Sequence, residues 1–306
     1  QTRLTESFSR HRTHLWGLCY RITGDAAEAD DLVQDTFARA LERPPADMDR
    51  PLRPWLATVA TRLALDALRR RQSRTYRGPW LPTPVADVAP LLEGVADPDR
   101  SDAEIRYGQL ESLTLGFLVA LEALTPEQRV TLVLRDVLGY TGPEAAAALQ
   151  TSPENARVLL HRARKRLSSY EAAPSRTGNE VDDTVRRAVA TLLDALGRGD
   201  LEAIKASLSD DVEVVTDSGG VFKAATKQVR GAESVAKLFR GLYRKNQPSK
   251  VAMVLVNGQP GLWIETQSDD PRIAPAQVMQ FDVDGEGRVR HVRSVLAPEK
   301  LKSYRR

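Results

Sequence analysis

The chain has 306 residues, a formal net charge of +3 and a single cysteine, Cys19. That length favours two or three domains over one core, and the lone cysteine, in an apolar stretch, excludes an internal disulfide and a multi-cysteine zinc site. No run reaches the roughly 18 to 20 apolar residues that cross a bilayer, and the N-terminus lacks the order of a signal peptide, so the expectation is a cytoplasmic protein without membrane contact or cofactor.

The charges are segregated. Residues 1–172 carry bases and acids in equal number, but in blocks: Asp25 to Asp35 holds five acids and no base, Arg62 to Arg77 six arginines and one acid, Asp87 to Glu104 six acids and one arginine, and Arg157 to Arg166 five bases and no acid. Blocks of opposite sign suit a protein that meets both a basic partner surface and a polyanion, although solvated helix faces give the same pattern.

The first piece, 1–77, reads as all-helical. Leu32, Val33, Phe37, Ala40 and Leu41 form one apolar stripe; Trp55, Leu56, Val59, Ala60, Leu63, Ala64 and Leu68 form another, with Pro54 suited to a first helical turn. The arginines from Arg62 onward would lay guanidinium groups along a nucleic-acid backbone, and Trp55 and Tyr76 are candidates for stacking on unpaired bases, against a plain core role for Trp55. Prolines 79, 82, 84, 90 and 98 make 78–102 an extended acidic linker.

The second piece, 103–172, is again helical. Helix starts are signalled at Thr125-Pro126-Glu127-Gln128, Thr141-Gly142-Pro143-Glu144 and Thr151-Ser152-Pro153-Glu154, each a hydroxyl cap followed by proline and an acid. Glu144 to Leu149, a turn, and Pro153 to Ser169 make a helix-turn-helix. The outer positions of its second helix, Glu154, Asn155, Arg157, His161, Arg162, Arg164, Lys165 and Arg166, face outward, with Val158 and Leu159 as its apolar stripe. Such a helix enters the major groove N-terminal end first. Asn155 and Arg157 can make bidentate base contacts, and Arg164, Lys165 and Arg166 suit phosphates; a basic amphipathic helix without ligand is the plainer alternative.

AAPSRTGNE at 172–180 breaks the helical pattern, and Lys165 is the only lysine before it. The third piece, 181–306, has expected helices at Val181 to Leu196, Leu201 to Leu208 and Ala232 to Tyr243, a strand at Val212 to Thr216, and β runs at Lys250 to Val256, Leu262 to Thr266, Ala276 to Val283 and Arg288 to Leu296. Asn257-Gly258 and Asp284-Gly285 signal hairpins. The expected class is α+β, helices covering one face of a curved antiparallel sheet.

Two segments carry a resemblance. DAAEADDLVQDTF at 25–37 with RPWLATVATRLALDALR at 53–69 resembles region 2 of extracytoplasmic-function sigma factors, and the run from Leu124 through Leu167 resembles their region 4. The resemblance implies that Asp30, Asp31, Leu32, Gln34 and Asp35 dock on the clamp helices of the largest RNA polymerase subunit, with region 4 near the flap of the second-largest. It implies that 44–71, with Trp55, Arg62, Asp66, Arg69, Arg70 and Arg71, holds open a −10 promoter element. The helix from Pro153, including Val158, would read the −35 element, and the acidic linker would thread the RNA exit path.

The third piece resembles the SnoaL-like domains fused to one subset of that family. Three signatures support the resemblance: Trp80-Leu81-Pro82-Thr83-Pro84; Asp217-Ser218-Gly219-Gly220 with Lys223; and Ala297-Pro298-Glu299-Lys300-Leu301. It implies a built-in regulator in place of a separate anti-sigma factor, with room for a small ligand. Since such domains also occur as enzymes, Asp217 and His291 are weighed as an acid–base pair, but a satisfied structural histidine is the stronger reading and no catalytic motif accompanies it. No catalytic residue or metal ligand is assigned. A helix-turn-helix regulator with a ligand-sensing domain is the alternative, and it leaves the acidic helix unexplained.

Overall fold

A computed structural model describes residues 2–47, 51–72, 76–93, 107–172 and 177–304. The chain forms two compact units, Gln1–Thr75 with Val88–Pro174, and Tyr76–Asp87 with Ser175–Arg306. The single linker expected over 78–102 is thus divided. Residues 78–87 belong to the C-terminal unit because Leu81, Pro82, Thr83 and Pro84 are buried there; 88–93 belong to the helical unit; 94–102, with most of the acidic block, lie outside the described residues.

The helical unit begins with α1 (Thr2–Thr23), α2 (Ala26–Glu42) and α3 (Leu52–Gln72). Asp25 starts α2 by accepting hydrogen bonds from the backbone N–H groups of Ala27 and Glu28. Leu15, Leu18 and Ile22 of α1 are buried, as are Leu32, Val33 and Phe37 of α2 and Leu56, Ala60 and Leu63 of α3, where the three helices pack together.

After α4 (Ala89–Glu93) and α5 (Leu115–Ala120) come α6 (Pro126–Leu132), a π-helical turn at Val133–Val137, α7 (Gly142–Leu149), α8 (Pro153–Arg166) and α9 (Ser168–Ala172). Thr125 with Gln128 and Thr141 with Glu144 form the two capping boxes the sequence signals. At α8 the cap is Ser152, not Thr151. Thr151 instead accepts a 2.8 Å hydrogen bond from the Asn155 side chain. Gln150 joins α7 to α8 in the left-handed region, φ 54° and ψ 46°, where glycine is commonest.

The C-terminal unit contains α10 (Asn179–Arg198), α11 (Leu201–Ala206), β1 (Leu208–Asp217), β2 (Val229–Arg230), α12 (Ala232–Lys245), β3 (Pro248–Val256), β4 (Gln259–Thr266), β5 (Ala276–Val283), β6 (Val289–Val295) and a 3₁₀ turn, Pro298–Tyr304. The sheet order is β2-β1-β6-β5-β4-β3. Every pair is antiparallel except β1 with β6, so the expectation of a wholly antiparallel sheet is corrected at its centre. Val189 and Leu192 of α10, Val235 and Phe239 of α12, and Val212, Val214, Leu262, Phe281 and Val292 of the strands form one core. Asn257 (φ 53°) and Gly258 (φ 81°) make the β3–β4 turn. In the β5–β6 turn the left-handed residue is Gly287, not Gly285, because Asp284 accepts from the N–H groups of Glu286 and Arg288.

Candidate nucleic-acid interfaces and linker clamp

On α2, Asp31, Gln34 and Asp35 are exposed, and their spacing puts them on one face. Asp30 is bridged to Arg12 at 2.8 Å. Leu32 departs from its expected contact role: at 3% exposure it is core, and it shapes the acidic face from beneath.

On α3, Trp55 is half-buried, with Asp66, Arg69 and Arg70 exposed and Arg62 and Arg71 partly covered. The basic run is engaged within the unit. Arg62 donates to the carbonyl oxygens of Ala147 (3.0 Å) and Ala148 (3.3 Å), Arg69 to Glu127 (2.9 Å), and Arg71 to both oxygens of Glu122 (2.9 and 3.0 Å). The arginine run beyond Gln72 lies partly outside the described residues.

On α8 the buried face is Ala156, Leu160 and Ala163. Val158 is instead 42% exposed, which corrects the apolar stripe read from Val158 and Leu159; three- and four-residue spacing from Ala156 selects the true one. Pro153, Glu154, Asn155, Arg157, Val158, His161, Arg162, Lys165 and Arg166 form the outer surface. Arg164 is different. Its guanidinium grips buried Asp136 at 2.7 and 2.9 Å, a two-pronged pair that ties α8 to the π turn and takes this arginine from the phosphate-facing set. Arg166 donates to the Ala123 carbonyl at 3.0 Å. Asp136, an acid within an apolar run, is the sequence signal that points to this pair.

The three short signatures of the C-terminal unit converge. Asp217 closes β1 with its carboxylate fully buried. It accepts from the Tyr76 hydroxyl (2.6 Å), the Leu81 backbone N–H (2.9 Å), the Gly219 N–H (2.9 Å) and the Lys300 ammonium (2.8 Å). Lys300 also donates to the Leu81 carbonyl at 2.6 Å and sits 4.4 Å from the Trp80 ring centroid and 5.1 Å from that of Tyr76. A buried ammonium with a carboxylate, a carbonyl and two aromatic faces is well compensated.

Downstream, Val85 and Asn257 exchange hydrogen bonds: Val85 N–H to the Asn257 side chain (2.9 Å) and Asn257 N–H to the Val85 carbonyl (2.8 Å). Ser303 donates to the Pro84 carbonyl at 3.1 Å. Residues 76–87 are thereby bound along their length. Gly220 has φ +74°, and a Cβ there would lie 2.8 Å from Arg77 Cβ, so only glycine admits the linker at that distance. Leu81 and Leu301 are buried and Pro298 partly so, while Glu299 and Lys223 are exposed. Lys223 stands apart from the clamp; its backbone N–H donates to the Arg272 carbonyl.

Asp217 and His291 are not brought together. His291 pairs in register with Glu213 and Asp282, whereas Asp217 lies opposite Val295. Because Val214, Val292 and Phe281 point into the helix-covered core, His291 faces away from it. Burial, reinforced by the Arg293 charge, lowers the His291 pKa. Burial opposes ionisation of Asp282, but Arg293 at 2.5 Å outweighs it and holds the carboxyl below its usual range. An open groove of about 450 Å³, lined by Thr184, Arg187, Thr191, Ser207 and Arg288 among others, lies between α10, α11 and the β5–β6 turn.

Comparison with known proteins places these surfaces in context. Residues 8–74 match the family model for Sigma-70 region 2, and residues 115–167 that for Sigma-70, region 4. The chain is 35% identical over 261 residues to the ECF RNA polymerase sigma factor SigJ of Mycobacterium tuberculosis, covering 84% of this chain and 79% of that one. It is 30% identical over 315 residues to SigG of the same species, covering 94% and 81%. The crystal structure of M. tuberculosis SigJ superposes with a TM-score of 0.73 at 30% identity and covers 98% of each chain.

Proposed function

The chain belongs to the ECF RNA polymerase sigma factors, and from that premise we propose how its surfaces divide the work of directing core polymerase to a promoter. Asp31, Gln34 and Asp35, with Asp30 beside them, form the docking face for the clamp helices of the largest subunit, and region 4 approaches the flap of the second-largest. The α3 face with Trp55, Arg62, Asp66, Arg69, Arg70 and Arg71 holds the opened −10 element. The outer surface of α8, with Asn155 and Arg157 leading, reads the −35 element in the major groove.

The C-terminal SnoaL-like unit is regulatory in this reading, and it acts without a separate anti-sigma protein in the cytoplasm. The observation that supports it is the capture of residues 76–87 by Asp217, Asn257 and Lys300. A linker segment held there cannot at the same time thread the RNA exit path. A small ligand of this unit would have the hydroxyl-lined groove beside α10 as its place of entry.

Association with purified core polymerase tests the scheme. Asp31→Arg with Asp35→Arg is expected to abolish binding, since the docking is electrostatic, while leaving the melting temperature unchanged because both residues are exposed. Undiminished core binding removes α2 from the scheme. Tight duplex binding by the chain alone, with indifference to core, replaces it with a helix-turn-helix regulator.

A further inference from the structure

Within the helical unit, region 2 meets region 4 through side chains of one polarity: region 2 supplies guanidinium groups and region 4 supplies acceptors. Arg21 of α1 donates to Ser112 Oγ (2.9 Å), to Gln109 Oε1 (3.3 Å) and to the Gln109 carbonyl (3.4 Å). Arg62 caps the carbonyl end of α7, the negative pole of the first helix of the helix-turn-helix. Arg69 meets Glu127 and Arg71 meets Glu122. Arg62 and Arg69 are two turns apart on one face of α3, which packs on α6 and α7.

These acceptors have the chemistry of a phosphate row: carboxylates and an oriented carbonyl cluster facing guanidinium groups. The fit is incomplete at its centre. Arg21 is fully buried and donates to neutral oxygens, and burial pushes its pKa down to about 10. Arg129, also buried, is paired with Glu122, yet its Nε and Nη2 have no hydrogen-bond partner, nor has the buried hydroxyl of Thr61 on α3. Buried donors left unmade are costly, and a buried charge facing only neutral groups is poorly compensated. The contact holds the arginines but is expensive at its core, which is the energetic profile of a reversible closure.

We propose that region 4 occupies the −10-binding surface of region 2 in the free chain. Glu122, Glu127 and the carbonyl end of α7 stand where promoter phosphates stand in the initiation complex, so DNA and region 4 compete for α3. The proposal rests on the assignment of α3 to the −10 element made above, and its test separates the two.

The full-length chain is labelled with a dye pair at Glu42→Cys and Ser169→Cys, both exposed positions. Cys19 stays unlabelled because burial pushes its thiol up to about 12. The ligand is a short single-stranded DNA oligonucleotide of mixed sequence at low salt. Energy transfer is expected to fall as oligonucleotide is added. Glu127→Gln, which removes one half-exposed partner and spares the Glu122–Arg129 pair, is expected to lower the starting transfer and tighten oligonucleotide binding by about threefold to tenfold, the scale of one such pair. Glu127→Lys, read by transfer alone, opens the chain further. Transfer unchanged in both variants and on DNA addition overturns the closure. Transfer that falls while oligonucleotide affinity stays constant overturns the masking together with the −10 assignment of α3, and leaves family membership untouched.

Discussion

The clamp on the linker and the contact between regions 2 and 4 both join charged side chains across long stretches of sequence, yet they are built on opposite terms. At the clamp, Asp217 and Lys300 are almost fully buried, and each is met by partners of fixed geometry: a phenol, backbone groups and two aromatic faces. Between regions 2 and 4, Arg69 and Glu127 remain half-exposed, Arg21 faces neutral oxygens, and Arg129 keeps two donors unpaired. Burial with complete pairing fixes a segment in place; partial exposure with incomplete pairing makes a contact that exchanges. The same residue types thus serve as an anchor in one place and as a latch in the other, and solvent access decides which.

The sharpest way to break the contrast is to remove one clamp partner. Lys300→Met leaves Asp217 as an uncompensated buried carboxylate and is expected to cost about 3 to 5 kcal/mol in the denaturant-induced unfolding of the C-terminal unit. Asp217→Asn with Lys300→Met should recover part of that loss, since the buried charges vanish together. If the single variant unfolds with the midpoint and slope of the parent chain, the pair is no anchor.

A second, smaller effect isolates the backbone side of the clamp. Gly220→Ala asks a left-handed position to accept a Cβ at 2.8 Å from Arg77 Cβ, which combines the αL penalty with overpacking at roughly 2 kcal/mol. The linker must move, so residues 76–87 should become more susceptible to limited proteolysis while α10, α12 and the strands keep their protection in hydrogen exchange. Uniform loss of protection would mean that the turn supports the whole fold and not the linker alone.

Much of the architecture was legible in local chemistry. Thr125 and Thr141 with their acids or amides three residues on, Pro153 in a first turn, and Asn257-Gly258 in a hairpin all act within four residues, and each sits in the structure as its chemistry requires. What stayed hidden depends on distant partners. A run of arginines looks the same whether it faces nucleic acid or Glu122 and Glu127, so the engagement of Arg62, Arg69 and Arg71 has no signature in the run itself. Arg164 was grouped with the phosphate-facing residues for the same reason, although Asp136 claims it. The β1–β6 pairing joins strands separated by the rest of the sheet, and the two-residue β2 is too short to leave a period. The clamp was visible as three short signatures, but their convergence on one carboxylate needed the fold.

The smallest effect tests the other side of the contrast. Arg69 and Glu127 meet at 2.8 Å with substantial exposure on both partners. A double-mutant cycle with Arg69→Ala and Glu127→Ala should give a coupling of about 0.2 to 1 kcal/mol in thermal or denaturant unfolding. Because the pair is solvated, the coupling should fade toward zero as ionic strength rises and the Debye length contracts. The Asp217–Lys300 coupling, shielded from solvent, should persist under the same conditions. A coupling at Arg69–Glu127 as large and as salt-resistant as that of the clamp would mean that regions 2 and 4 are locked, and region 4 could not then yield α3 to DNA without a far larger driving force than one promoter element supplies.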